Sequence, residues 1–127
     1  MLEHVDPVLI GKINLVLAAM AILGFPMKVC QGYRTLAEQQ ALYAQGRTQP
    51  GPNPSHQRPI GQTVTDCDGT TTVSEHQKGR AVDCCAAGLV AFPEGFPWPC
   101  YAACVRAVGL KAGADFASKD LDHAELA

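Results

Sequence analysis

The 127-residue sequence predicts an α+β domain with about three helices and a few short strands. An apolar period of three to four residues runs through the first two dozen positions. A second helix opens on a capping signal near residue 35. Short apolar stretches bounded by glycine and proline account for the strands. Apolar residues make up 47% of the chain and charged residues 17%, so the chain has the means to build a core, and one domain spanning 1–127 is expected.

The first helix starts at Asp6-Pro7, because an Asp side chain accepts a free backbone N–H and proline tolerates the first helical position. Leu9, Ile13, Val16, Leu17, Met20 and Leu23 repeat at helical spacing, and Gly24 with Pro26 ends the run. Met27 to Gln31 reads as a strand. Thr35 with Glu38 forms a capping box for a second helix ending near Gly46. From Arg47 to Val73, prolines and glycines deny regular pairing and predict a long surface loop bordering the cleft. A strand follows Gly79, a third helix runs from about Pro99 to Val108, and Gly109 stops it. The tail from Ala114 to Ala127 reads as two short strands around a turn at Ser118, Lys119 and Asp120.

Ten Lys and Arg against twelve Asp and Glu give a net charge of -2, which provides no basic field for phosphate, so no nucleic-acid partner is expected. The apolar run from Ile13 to Met27 is broken by Gly24 and Pro26 and falls short of the ~20 residues that cross a bilayer, so no membrane insertion is expected. Glu3 and Asp6 precede the first lysine, unlike the basic start of a secretory leader. Synthesis in the cytoplasm without a signal peptide is the expectation. Six cysteines without C-x-x-C spacing read as free thiols, with Cys100 and Cys104 on one buried helical face and Cys85 as a small buried hydrophobe.

The chemistry concentrates in Ser74 to Asp83 and Lys119 to Leu126. Imidazole and carboxylate suit a borderline divalent cation, and three protein ligands plus a water make a catalytic zinc site. His76, Asp83 and His123 are compatible with such a set, since Gly79 permits a turn between the first two. Asp120, three residues before His123, fits a general base that takes a proton from water and returns it to a leaving amine. Asp122 is a second carboxylate beside it.

These blocks resemble the zinc D,D-peptidases: D-alanyl-D-alanine carboxypeptidases, vancomycin-resistance dipeptidases and phage endolysins that cut the L-alanyl-D-glutamate bond. Gly32, Tyr33, Arg34 and Thr35 with Glu38 to Tyr43 resemble the family's first block, and Gly46 to Thr48 its continuation. Val64 and Thr65 resemble the stretch before the zinc motif. Ser74, His76, Gly79, Ala81 and Asp83 match the second block, and Asp120 with His123 the third. The resemblance implies a small antiparallel sheet carrying a zinc site and packed with about three helices, as in the hedgehog and D,D-peptidase type. It implies one Zn2+ per chain on His76, Asp83 and His123, with Asp120 and Arg34 catalytic. Arg34, Gln39 and Ser74 would meet the substrate, Arg34 through its planar fork.

The function expected on these grounds is hydrolysis of peptidoglycan stem peptides at a bond involving a D-amino acid, by a monomer acting on the cell wall. A phage or prophage lysis enzyme released by a membrane-permeabilising partner is the expected setting. The rival is a non-catalytic zinc domain of hedgehog-like fold. Such a module needs neither the base Asp120 nor the oxyanion partner Arg34.

Overall fold

In the computed structural model, Asp6 Oδ1 accepts the Val8 amide at 2.8 Å and Pro7 occupies the first turn, so helix α1 (Pro7–Ile22) starts where the sequence predicts. It ends in a glycine-terminated cap. Gly24, at φ 93°, donates to Ala21 O and the Phe25 amide to Met20 O, satisfying carbonyls that the helix leaves over. The structure describes residues 2–44, 65 and 67–127. The chain divides into two units, one of Met1–Tyr33 with Gly79–Ala127 and one of Arg34–Lys78. The expected continuation at Gly46 to Thr48, the end of the second helix near Gly46, and most of the expected loop lie outside the described residues.

The first unit holds a four-stranded antiparallel sheet of strands β1 (Met27–Gln31), β2 (Ala81–Ala86), β3 (Leu110–Ala112) and β4 (His123–Leu126), in the order β1-β2-β4-β3. Helix α3 (Trp98–Ala107) belongs to the same unit, and helix α2 (Leu36–Ala44) to the other. Three helices and an antiparallel sheet among the described residues are the expected α+β class. Leu9, Ile13, Val16 and Met20 of α1 are buried in one core with Tyr101, Ala102 and Val105 of α3 and with Val82, Cys84 and Ala124 of the sheet. Burying each of the large apolar side chains is worth about 1.5–3 kcal/mol. This core holds the middle strands in place.

Some elements differ from the sequence reading. The first tail strand lies before Ala114: Gly109, at φ 82°, passes directly into β3, while Gly113–Asp115 forms a 3₁₀ turn. Three residues of alternation, with Leu110 and Ala112 buried and Lys111 exposed, are too short a period to stand out in sequence. Cys100 is exposed and Cys104 only half-buried, because Tyr101, Ala102 and Val105 take the inward face of α3. Leu23 is exposed because it caps α1 beyond the last full turn, and Leu17 is half-buried. Cys85 is buried, as expected, and all six thiols are free.

In the second unit the capping box is reciprocal. Thr35 Oγ1 accepts the Glu38 amide at 3.2 Å and Glu38 Oε1 accepts the Thr35 amide at 3.1 Å. Farther on, Asp68 Oδ1 accepts the amides of Thr70 and Thr72, both at 2.9 Å, and closes a turn around Gly69. The Thr72 and Thr70 bonds hold the Asp68 carboxyl below its ordinary range.

Gly79 begins the strand-bearing part of the second block. Its φ is 70°, its carbonyl accepts the Asp6 amide at 2.8 Å, and a Cβ there would run into the His4 carbonyl. Gly79→Ala should therefore lower stability by at least about 1–2 kcal/mol, the cost of the left-handed conformation alone, and more for the collision. Thermal or urea denaturation reads this directly.

Candidate active site

Antiparallel pairing of β2 with β4 sets Asp83 directly across from His123. Both side chains are buried, and His123 Nδ1 lies 3.3 Å from Asp83 Oδ1. The turn before β4 adds Asp120, whose Oδ2 is 3.6 Å from the same nitrogen while its side chain remains 52% exposed. Asp83, Asp120 and Asp122 each bring a carboxylate oxygen to within 4.8 Å of the others. Two carboxyl groups beside the imidazole, with a third close to both of them, make a site that favours positive charge.

Backbone contacts fix that turn. The Asp120 amide donates to Gly113 O at 3.0 Å, and the His123 amide to Asp120 O at 3.2 Å. The Asp122 carbonyl accepts both the Cys84 amide at 2.9 Å and the Tyr101 hydroxyl at 3.0 Å. Gly113 is required here, since a Cβ on it would meet the Asp120 carbonyl and come within 2.8 Å of His123 Cβ. Below Asp83, the Cys30 thiol at the β1 bulge donates to the Asp83 carbonyl at 3.4 Å.

The other ring nitrogen of His123 has its own partner. Nε2 lies 2.8 Å from Glu125 Oε1, two residues along the same strand. Alternation along a strand puts Glu125 and His123 on one face of β4, and that period-two signal could have found it from sequence. Tyr101 and Gly113 had no such signal, because their roles depend on distant parts of the chain.

Arg34, Gln39, Ser74 and His76, all buried, belong to the second unit. Arg34 Nη1 donates to Gln39 Oε1 at 2.9 Å, and its amide donates to His76 O at 3.1 Å. Gln39 is oriented in turn, donating from Nε2 to Cys67 O at 2.8 Å and to Thr65 Oγ1 at 3.3 Å. His76 stands on a 3₁₀ turn, Glu75–Lys78, whose entry is closed by Ser74 and Gln77. Ser74 Oγ accepts the His76 amide at 3.2 Å, and Gln77 Oε1 accepts the Ser74 amide at 3.0 Å. Gln39 thus orients the Arg34 fork, and Ser74 braces the backbone of His76.

The resemblance read from sequence has independent support. A family model described as VanY, D-alanyl-D-alanine carboxypeptidase, matches residues 3–95. The chain belongs to the VanY family. The match includes Arg34, Gln39, Ser74, His76 and Asp83, and it makes the chain a metallopeptidase, as its motifs anticipate. The L-Ala D-Glu endopeptidase ChiX of Serratia marcescens is similar over 99% of this chain and 83% of its own, at 25% identity and a TM-score of 0.68. The vancomycin-resistance D,D-pentapeptidase VanY from a VanB-type cassette, solved with Zn(II), is similar at 20% identity and a TM-score of 0.66, over 96% of this chain and 72% of its own. The LD-carboxypeptidase LdcB follows at 21% and 0.61, over 96% and 65%. The last two likenesses speak for the fold. Members of the VanY family act on wall peptides, and among the described residues of this chain no helix is long and apolar enough to cross a membrane.

The electrostatics of the site give a pH dependence of stability. Burial works against a charged His123, yet the Asp83 hydrogen bond and charge, with Glu125 and Asp120, push its pKa up to about 9 from 6.5. Burial, then the Asp83 charge and the hydrogen bond to Asp120, push Asp122 up to about 8 from 3.8. The His123 contribution is complete below its ordinary value and is lost as pH rises through about 9. Ionising Asp122 costs the folded state more than the unfolded one, so stability also falls between 3.8 and about 8. Melts recorded in a chelator should therefore show a falling Tm from about pH 4 to about pH 9.

Proposed function

We propose that the chain is a zinc-dependent peptidase that hydrolyses a bond involving a D-amino acid in peptidoglycan stem peptides. The observation that carries the reading is an exposed carboxylate, Asp120, held 3.6 Å from the inward nitrogen of a buried histidine that faces Asp83. His76, Asp83 and His123 are the proposed ligands, and their imidazole and carboxylate donors fit zinc. The motif from Ser74 to Asp83 and the VanY family match support joining His76 to the other two. Zinc, when bound, supplies Lewis acidity that polarises the scissile carbonyl and lowers the pKa of water to near 7.

The residues divide the remaining work. Asp120 accepts the proton of the attacking water and delivers it to the departing amine, a task its exposure permits. Asp122 is less suited to it, because its side chain is half-buried where that of Asp120 is exposed, and its carbonyl is clamped by Cys84 and Tyr101. Arg34 offers a planar fork to a substrate carboxylate or the developing oxyanion, oriented by Gln39. Gln39 and Ser74 keep Arg34 and the backbone of His76 in fixed attitudes. A monomer is sufficient for this chemistry.

Two bonds are in view. Likeness to ChiX at 25% identity over nearly the whole chain favours the L-Ala–D-Glu bond. The family description favours removal of a terminal D-Ala. The resemblance to endolysins extends the reading to a phage or prophage lysis enzyme acting on the wall. Digestion of purified muropeptides with mass analysis decides among them: loss of one alanine marks a carboxypeptidase, and separation of the stem after its first L-Ala marks the endopeptidase. Intact muropeptides after incubation with the zinc-loaded protein would leave the non-catalytic, hedgehog-like reading.

Asp120→Ala should retain zinc and fold but lose about 10²–10⁴-fold in kcat/KM, because it removes proton transfer and no ligand. His123→Ala should lose both metal and activity. Near-normal turnover in Asp120→Ala, with collapse in Asp122→Ala, would move the base role to Asp122.

A further inference from the structure

We infer that Glu125 is a positioning residue for the metal site, which it serves by holding the His123 ring through Nε2; this rests on the reading of His123 as a zinc ligand. Glu125 is buried nearly as deeply as His123, with side-chain exposures of 13% and 8%, and its Oε1 lies 2.8 Å from Nε2. A carboxylate accepts only, so in the neutral imidazole Nε2 carries the hydrogen and Nδ1 keeps its lone pair. Nδ1 is the nitrogen that faces Asp83 and Asp120. The hydrogen bond therefore selects the tautomer and also the ring orientation, and it raises the basicity of the nitrogen left for a cation.

The sheet makes this arrangement rigid. Glu125 is paired on both sides, with Ala81 of β2 and Lys111 of β3, so its backbone has no freedom to slide. Ala124, between the two, is fully buried in the opposite direction and fixes which way the alternation runs. Phe116 packs a tilted ring 5.4 Å from the imidazole, leaving the ring flanked by an aromatic group and tied at its far nitrogen. Removing a carboxylate in this relation to a ligand histidine commonly costs about 10–100-fold in metal affinity.

Chelator competition with zinc, on the full chain, measures the effect. Glu125→Gln keeps an acceptor oxygen and the shape of the side chain, and it should weaken zinc about tenfold. Glu125→Ala should approach a loss of about a hundredfold. In zinc-loaded wild type, the His123 Nε2–H proton should resonate at low field and exchange slowly. It should shift upfield in Glu125→Gln and disappear into solvent exchange in Glu125→Ala. Zinc affinity within twofold of wild type in Glu125→Gln, with His123→Ala much weakened, would overturn the inference and leave the zinc reading intact. Unchanged affinity in His123→Ala would overturn both.

Discussion

The pairing of β2 with β4 is the constraint on which the site depends. It sets a carboxylate on one strand opposite an imidazole on the next, 3.3 Å apart and shielded from water. Everything around that pair works to keep it there. Tyr101 reaches from α3 to the Asp122 carbonyl, Gly113 makes room for the Asp120 turn, and the Cys30 thiol supports Asp83 from the neighbouring strand. The apolar side chains of α1 and α3 close the core to which these strands belong.

The same crowding creates an electrostatic problem. Three carboxyl groups lie together, and full ionisation of all three would be unfavourable in a partly buried setting. The chain relieves this in two ways: Asp122 retains its proton to higher pH than an ordinary carboxyl, and His123 becomes positive more readily than an ordinary imidazole. A cation at this position would take over that balancing role. The geometry that favours a metal is thus the same geometry that makes the metal-free site sensitive to pH.

Much of the fold was legible in the sequence because its signals are local. Asp6-Pro7, the Gly24 stop and the Thr35–Glu38 box need only a few neighbouring residues to act, and each behaves as its chemistry dictates. The strand at Met27–Gln31 was equally readable. The short strand β3 stands ahead of the tail strand that the sequence predicts, because three residues carry almost no periodic information, and Tyr101 takes the inward face of α3 in place of Cys100. Of the candidate site, the ordered motifs single out His76, Asp83, Asp120 and His123 as candidates, but carry nothing about what orients them. Gln39 bonds the Arg34 fork and Ser74 the His76 backbone, orientations that motif spacing does not encode, whereas Glu125 shares a strand face with His123 and so lies within reach of a period-two reading.

Strand order has a further consequence for how this protein must fold. β4 follows β3 in the chain yet sits between β3 and β2, so the sheet cannot close by adding strands in the order they are made. Without β4, β2 has a bare edge on that side and β3 has no strand partner among the described residues. The Asp83 to His123 contact spans a long stretch of sequence, the kind of closure that slows folding because chain entropy is lost before the contact rewards it. A metal site drawing on both Asp83 and His123 would be complete only once β4 pairs with β2. Without β4, the buried and largely apolar strand β2 would present an open edge, the feature through which one chain pairs with another.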